Sequence, residues 1–292
     1  MKAMILAAGL GTRLKPLTDT RPKALVELAG RTLLEITLTR LRTFGVTEVI
    51  INVHHFADQI LAYLKSHNNF GMRIEISREE VLLDTGGGLK KAASFFLEDS
   101  NRLDEPFLLH NVDVISNIDL HAMLQFHTEN QALATLAVQS RETSRPLLFD
   151  DHHQLRGRRA GGTATPGCAS QTTAPQYPSA KAAPSAETTM NCHSERSEES
   201  AFSESPAGHP QPYQVLAFSG IHIISPRLFP MLTEEGIFSI IPSYLRLAAQ
   251  GQKILAFRAD QYYWRDLGRP ADLTQAAHDL ESGLRAEGRH SV

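Results

Sequence analysis

Apolar positions fall into two kinds of run that take turns along the chain. Ala3 to Ala7 is short and continuously apolar, as a strand buried on both faces should be. Glu48 to Val53 is a second such run, rich in β-branched residues. Met72 to Ile76, Pro106 to Val112, Ala132 to Val138, Val215 to Ile224, Ile254 to Phe257 and Tyr262 to Trp264 read as further strands. Between them the spacing becomes helical. Leu33 to Phe44 repeats its apolar residues with a helical period through Leu34, Leu38 and Leu41. Ala57 to Leu64, Leu89 to Phe96, Leu120 to His127, Leu228 to Leu232, Ile240 to Ala249 and Ala271 to Leu284 read as helices, with Thr85 to Gly88 a glycine turn leading into the second of these. Strands separated by helices of this length imply right-handed βαβ units and an α/β fold with a mainly parallel sheet.

The alternation stops once. From Ala160 to Pro212 about two-thirds of the residues are Ala, Gly, Pro, Ser or Thr. Such a stretch buries too little apolar surface to offset an ordering entropy of ~1–2 kcal/mol per residue. It is expected to be a low-complexity, disordered insertion within one domain formed by residues 1–159 and 213–292. No internal repeat is visible, and no hexapeptide repeat follows the main domain.

The chain has 292 residues, 42% hydrophobic, and a formal net charge of −3. That balance argues against a nucleic-acid or membrane-surface partner, which would call for a basic excess. No apolar run approaches the ~20 residues of a membrane span. The apolar start is followed at once by Gly11, Arg13 and Lys15, so it reads as a first strand rather than a signal peptide, and a cytoplasmic location is expected. The only cysteines, Cys168 and Cys192, make neither a disulfide framework nor a metal-ligand spacing.

Three segments carry candidate chemistry. The first is the loop from Gly9 to Lys23, just past the first strand. Glycines there let backbone N–H groups approach a phosphate, Arg13 can fork onto phosphate oxygens, and Lys23 adds a point charge. A surface loop with two turn glycines is the alternative. The dinucleotide fingerprint fails because position 14 is Leu14, and the Walker sequence is absent. The second segment, Asp84-Thr85-Gly86-Gly87-Gly88, is either a flexible turn or an anion site at a helix N-terminus. The third, His110-Asn111-Val112-Asp113, lies at the carboxyl end of a strand, where ligands of parallel sheets bind. A carboxylate at Asp113 is suited to Mg²⁺, or else to a turn or helix cap. His54-His55 and His152-His153 lack the companions of a metal site and read as loop residues.

The spacing Gly9-x-Gly11-x-Arg13-x-x-Pro16, then Thr18 and Pro22-Lys23, resembles the signature of the sugar-phosphate nucleotidyltransferase family. The likeness extends over residues 1–159 and 213–292. It leans toward the branches that join UTP to N-acetylmuramate 1-phosphate and GTP to mannose 1-phosphate. The resemblance implies a Rossmann-like three-layer α/β/α sandwich and attack by a sugar 1-phosphate on the α-phosphorus of a nucleoside triphosphate, releasing pyrophosphate. It implies that Arg13 and Lys23 are catalytic. Ala7, Ala8, Gly9, Gly11, Thr12, Arg13 and Lys23 would hold the nucleotide, with Thr85, Gly86 and Gly87 against the nucleoside. Asn111, Ser219 and Gly220 would meet the sugar. Asp113 and Asp266, the latter in Trp264-Arg265-Asp266-Leu267-Gly268, would hold Mg²⁺. Val112 departs from the glycine usual in the family at that place. The partners implied are UTP or GTP and a sugar 1-phosphate. A reading from another class is a catalytically idle nucleotide-sugar sensor or regulatory subunit; retention of Arg13, Lys23, Asp113 and Asp266 argues against it. Oligomeric state is not legible.

Overall fold

The computed structural model describes residues 1–99, 104–159 and 213–281. The insertion expected at 160–212 lies outside them. In chain order the elements are β1 (Lys2–Leu6), β2 (Glu27–Leu28), β3 (Arg31–Thr32), α1 (Leu33–Thr43), β4 (Glu48–Val53), α2 (Ala57–Ser66) and β5 (Arg73–Arg78). They continue with α3 (Asp84–Lys91), α4 (Ala93–Leu97), β6 (Phe107–Asn111), β7 (Val114–Ser116), α5 (Leu120–Glu129) and β8 (Ala134–Gln139). The remainder are β9 (Leu147–Phe149), β10 (Leu155–Arg158), β11 (Gln214–Ile224), α6 (Ile240–Ala249), β12 (Ile254–Arg258), β13 (Trp264–Asp266) and α7 (Pro270–Glu281). All described residues belong to one unit.

The central sheet runs β5-β4-β1-β6-β11-β8-β12. β1 pairs in parallel with both β4 and β6, β4 with β5, and β8 with β12. Only β11 runs against its neighbours in that path. Its first residues leave the main sheet and pair antiparallel with β9, which pairs with β10. Successive residues of β1 enter opposite cores: Met4 joins Leu89, Phe95, Phe96 and Tyr244, whereas Ala3 and Ile5 join Leu34, Leu38, Ile60 and Met123. One face is therefore covered by α1, α2 and α5 and the other by α3, α4 and α6. This is the expected three-layer sandwich with a mainly parallel sheet.

Several segments differ from the sequence-based expectation. Thr85 to Gly88 are not a turn before a helix; they lie inside α3, which begins at Asp84 with φ +59°. The helix expected as one piece is broken between Lys91 and Ala93. Leu228 to Leu232 falls on a short 3₁₀ segment, Pro226–Met231, and the strand expected at 262–264 sits two residues later. The apolar start is the central strand β1. No helix among the described residues is long and apolar enough to cross a membrane.

Burial of three histidines has a consequence for stability. Burial, with Arg40 nearby, pushes His110 down to about 3; burial, with His110 nearby, does the same to His222; and burial, with Arg227 nearby, takes His127 to about 4. The unfolded chain protonates histidine below pH ~6.5, but the folded chain resists it. Their contribution is therefore complete above pH ~6.5 and is lost as pH falls toward these lower values, by about 1.4 kcal/mol per pH unit for each proton. Urea denaturation between pH 7 and 4.5 should show this loss, and His222→Gln should flatten it; an unchanged slope in that variant would contradict the assignment.

Candidate active site at the switch point of the sheet

The order of strands reverses at β1, with β4 and β5 on one side and β6 on the other. A doubly wound sheet opens a crevice beyond the carboxyl ends of the strands at such a point. Here those ends are Leu6 and Asn111, tied together where Val112 N–H donates to the Leu6 carbonyl at 3.1 Å. Ala7 and Ala8, the next residues, are buried, and Ala7 N–H donates to Asn52 Oδ1 at 2.7 Å. Asn52 in turn donates to Glu79 Oε1 at 2.8 Å, and Glu79 Oε2 accepts from Leu83 N–H at 2.9 Å. Both side chains are buried. This polar link fixes the start of the loop to the start of α3. Sequence reasoning missed it. The available signal was Asn52 itself, a lone amide in the run Val49-Ile50-Ile51-Asn52-Val53.

The loop divides into anchored and open residues. Gly11 has φ +64°, and its carbonyl accepts from Leu14 N–H and from Thr18 Oγ1, both at 2.8 Å. A Cβ at 11 would lie 2.9 Å from Thr18 Cγ2, so Gly11 and Thr18 are matched by close packing. Leu14 is buried in a third, smaller core with Val26, Leu28, Leu33, Ile115 and Leu267. Gly9, Thr12 and Arg13 remain exposed. Backbone and guanidinium donors are thereby left facing solvent on a fixed turn, which is what binding an anion requires.

The same small core brings the charged residues together. Ile115 comes from β7 and Leu267 follows β13, and these two strands pair with Asp266 opposite Val114. The Asp113 carbonyl accepts from Leu267 N–H at 2.8 Å. Asp113 and Asp266, distant in sequence, thus become neighbours. The Lys23 ammonium is buried and pairs with Asp113 Oδ2. Asp266 Oδ1 is buried with no hydrogen-bond partner. Burial first, and then the Asp113 charge, raise the Asp266 carboxyl above its ordinary range, while Lys23 and Arg13 pull it back. A Cβ on Gly268 would lie 3.2 Å from Asp266 Oδ1 and 3.3 Å from Arg13 Nη2, so both side chains would have to give by a few tenths of an ångström to admit one. Two like charges with one orphaned buried oxygen are a donor set suited to a hard divalent cation. No group of three His, Cys, Asp or Glu converges among the described residues.

Other expected site residues are placed less simply. Asn111 and Gly220 do meet: Gly220 has φ +75°, and a Cβ there would lie 2.9 Å from Asn111 Nδ2. The pairing of β11 with β8 slips at this point. Ser219 is fully buried, and its carbonyl accepts from Trp264 Nε1 at 2.7 Å. Thr85, Gly86 and Gly87 are engaged within the protein. Thr85 Oγ1 caps α6 by accepting from Ile240 N–H at 3.0 Å, and the N–H groups of Gly86 and Gly87 donate to the Phe238 carbonyl at 2.9 and 3.1 Å. Beside Asp266 opens a cleft of about 520 Å³, lined by Arg13, Gln139, Arg141, Glu142, Trp264, Arg265, Gly268, Arg269 and Asp272.

Fold and site together define a doubly wound α/β protein with a cationic loop and a carboxylate pair at its switch point. The sequence model of the nucleotidyl transferase family matches residues 2–147, half of the chain, and the chain belongs to that family. Over 116 residues it is 47% identical to an N-acetylmuramate alpha-1-phosphate uridylyltransferase of Caulobacter vibrioides, covering 39% of this chain and 46% of that protein. Over 139 residues it is 37% identical to a mannose-1-phosphate guanyltransferase of Emericella nidulans, covering 47% of this chain and 37% of the relative. The chain thus spans less than half the length of either relative. Among solved structures, HddC from Yersinia pseudotuberculosis complexed with GMP-PN aligns with a TM-score of 0.63 at 20% identity, over 96% of this chain and 99% of that one. A UDP-glucose pyrophosphorylase complexed with UDP-glucose aligns with a TM-score of 0.66 at 15% identity, over 96% and 98% of the two chains. These two share the fold.

The packing of Gly86 makes a prediction of opposite sign to helix propensity. Alanine for glycine within a helix ordinarily stabilises by about 1 kcal/mol. A Cβ at 86 would lie 2.4 Å from two ring carbons of Phe238. Gly86→Ala should therefore destabilise by about 1–3 kcal/mol in urea denaturation. A stabilised variant would show that the close approach is not as described.

Proposed function

We propose that this chain transfers a nucleotidyl group from a nucleoside triphosphate to a sugar 1-phosphate, with UTP and N-acetylmuramate 1-phosphate as the preferred pair. The single observation that carries the reading is the gathering of Lys23, Asp113, Asp266 and Arg13 at the switch point, beside a glycine loop with open donors. The nucleotide pair follows the 47% identical relative; the 37% identical relative favours GTP with mannose 1-phosphate as the second choice. The compartment is the cytoplasm, where nucleoside triphosphates are made.

An oxygen of the acceptor phosphate attacks the α-phosphorus, the bond from that phosphorus to the bridging oxygen breaks, and pyrophosphate leaves with the electron pair. The attacking oxygen is already anionic at neutral pH, so no general base is required. Catalysis then rests on positioning and on neutralising charge. Gly11, Thr12 and Arg13 hold the triphosphate on the exposed face of the loop, with Ala7, Ala8 and Gly9 beside the nucleoside. Lys23, paired with Asp113, lies at the base of the loop. Asp113 and Asp266 would hold Mg²⁺, which would supply charge neutralisation for the phosphates. Asn111, at the end of β6 and two residues before Asp113, faces the acceptor sugar beside Gly220. Thr85, Gly86 and Gly87 shape the nucleoside side through α3 and the segment it grips.

Pyrophosphate release, assayed with UTP, GTP, CTP and ATP against both sugar 1-phosphates, should be fastest with UTP and N-acetylmuramate 1-phosphate. Lys23→Ala should lower turnover by about 10²–10³-fold while the protein stays folded; full activity would sink the assignment. The carboxylate pair has its own readout. Asp266→Asn removes a buried like charge, so the metal-free variant should melt at a higher temperature than the unaltered protein. It should also lose any rise in melting temperature on adding Mg²⁺. A retained Mg²⁺ response would count against Asp266 as a ligand.

A further inference from the structure

Arg141 is a partly buried cation with no carboxylate partner among the described residues. By contrast, Arg156, Arg246, Arg258 and Arg265 each lie within 3.0 Å of an Asp or Glu oxygen. The Arg141 guanidinium lies over the Trp264 ring, with its central carbon 3.7 Å from the ring centroid. Its Nη2 donates to the Phe218 carbonyl at 2.6 Å, and its Nε is buried with no hydrogen-bond partner. Burial pulls its pKa down, with Asp266 opposing. Trp264 is itself held by the Ser219 carbonyl. Both residues line the cleft of about 520 Å³ that also contains Arg13 and Asp266.

Removing a guanidinium from water without an anion is costly, and a structure that does so keeps it where a ligand supplies the charge. Stacking on an indole holds the planar fork in one orientation, which suits forked recognition of a phosphate or carboxylate. Arg13 already serves the triphosphate in the reading above. The cleft is also lined by Arg265, which pairs with Asp279, and by Arg269; Arg141, fixed on the indole ring, has the acceptor to meet. Of the acidic residues there, Asp272 accepts from Arg269 N–H, and neither it nor Glu142 pairs with Arg141.

We propose that Arg141, held flat on Trp264, is a specificity-determining residue that binds an oxyanion of the acceptor. That oxyanion is the acceptor's phosphate or the carboxylate of an acidic sugar. The inference rests on reading the cleft as the acceptor side of nucleotidyl transfer.

Trp264 is the only tryptophan in the chain, so its emission reports on this pair alone. The full-length protein is titrated with glucose 1-phosphate, with free N-acetylmuramic acid and with N-acetylglucosamine. The first carries phosphate only, the second carboxylate only and the third neither. Emission should change with at least one of the first two and not with the third, and the responding probe identifies the oxyanion. Arg141→Met keeps the packing on the ring but drops the charge and should abolish the response. In steady-state assays it should raise KM for the acceptor about tenfold or more, the loss expected of one charge-assisted contact, with KM for UTP and kcat nearly unchanged. Arg141→Lys, which keeps the charge without the fork, should fall between the two. No emission change with either anionic probe, an identical titration in Arg141→Met, or an unchanged acceptor KM would overturn the proposal. If no nucleotide and acceptor pair releases pyrophosphate, the proposed reaction fails, and the emission titration still decides whether Arg141 binds an oxyanion.

Discussion

Asp113 and Asp266 are brought together at the end of one antiparallel strand pair, where Asp266 lies opposite Val114, and the burial and like charge of this carboxylate pair are the constraint around which the site is arranged. Neither carboxylate is placed there cheaply. Asp266 is drawn partly out of water, one of its oxygens has no donor, and its neighbour carries the same charge. What offsets this is a set of cations delivered by other elements: Lys23 from the end of the glycine loop and Arg13 from its middle. The small core of Leu14, Val26, Leu28, Ile115 and Leu267 holds the loop and the two strands to each other. Loosening that core would release the carboxylates and the cations together. A cluster of alternating charge, held by apolar packing and open to a cleft, is preorganised for a polyanion bound with a metal.

The two sides of the site are built differently. At the glycine loop, the proposed phosphate side, backbone donors lie on an exposed turn locked by Gly11 and Thr18. On the other, proposed nucleoside side, α3 is fastened to Phe238 by two N–H groups and to Ala7 through Glu79 and Asn52. The beginning of the loop and the beginning of α3 are thus one mechanical unit. Changes in the segment around Phe238 would be transmitted to the loop through buried hydrogen bonds, which are costly to break and so carry displacement well.

Much of this was legible in the chain because it depends on local pattern. β1, β4, α1 and α6 announce themselves by apolar spacing, and glycines, Arg13 and Lys23 after the first strand point to phosphate without any tertiary information. Asp113 follows from its place at a strand end. What was not legible depends on partners far away in sequence. β7, β9 and β10 are three or four residues long and exist because a neighbouring strand pairs with them. Asp266 has no local mark of its own and came from family likeness; its place beside Asp113 is set by tertiary pairing. The glycines of α3 looked like a turn because glycine is a poor helix former. Their helical state is decided by the ring and carbonyls packed against them, a tertiary override of propensity. Arg141, in the loop after β8, and Trp264, in β13, carry no joint signal in the sequence.

The central claim is that Asp113 and Asp266 form one divalent-cation site next to the loop that takes the triphosphate. Electron paramagnetic resonance of Mn²⁺, titrated into the full-length protein with and without UTP, tests it most directly. The account predicts a bound Mn²⁺ signal that UTP strengthens and that Asp113→Asn and Asp266→Asn each remove. Mn²⁺ binding that is unaffected by either substitution, or by UTP, would contradict it.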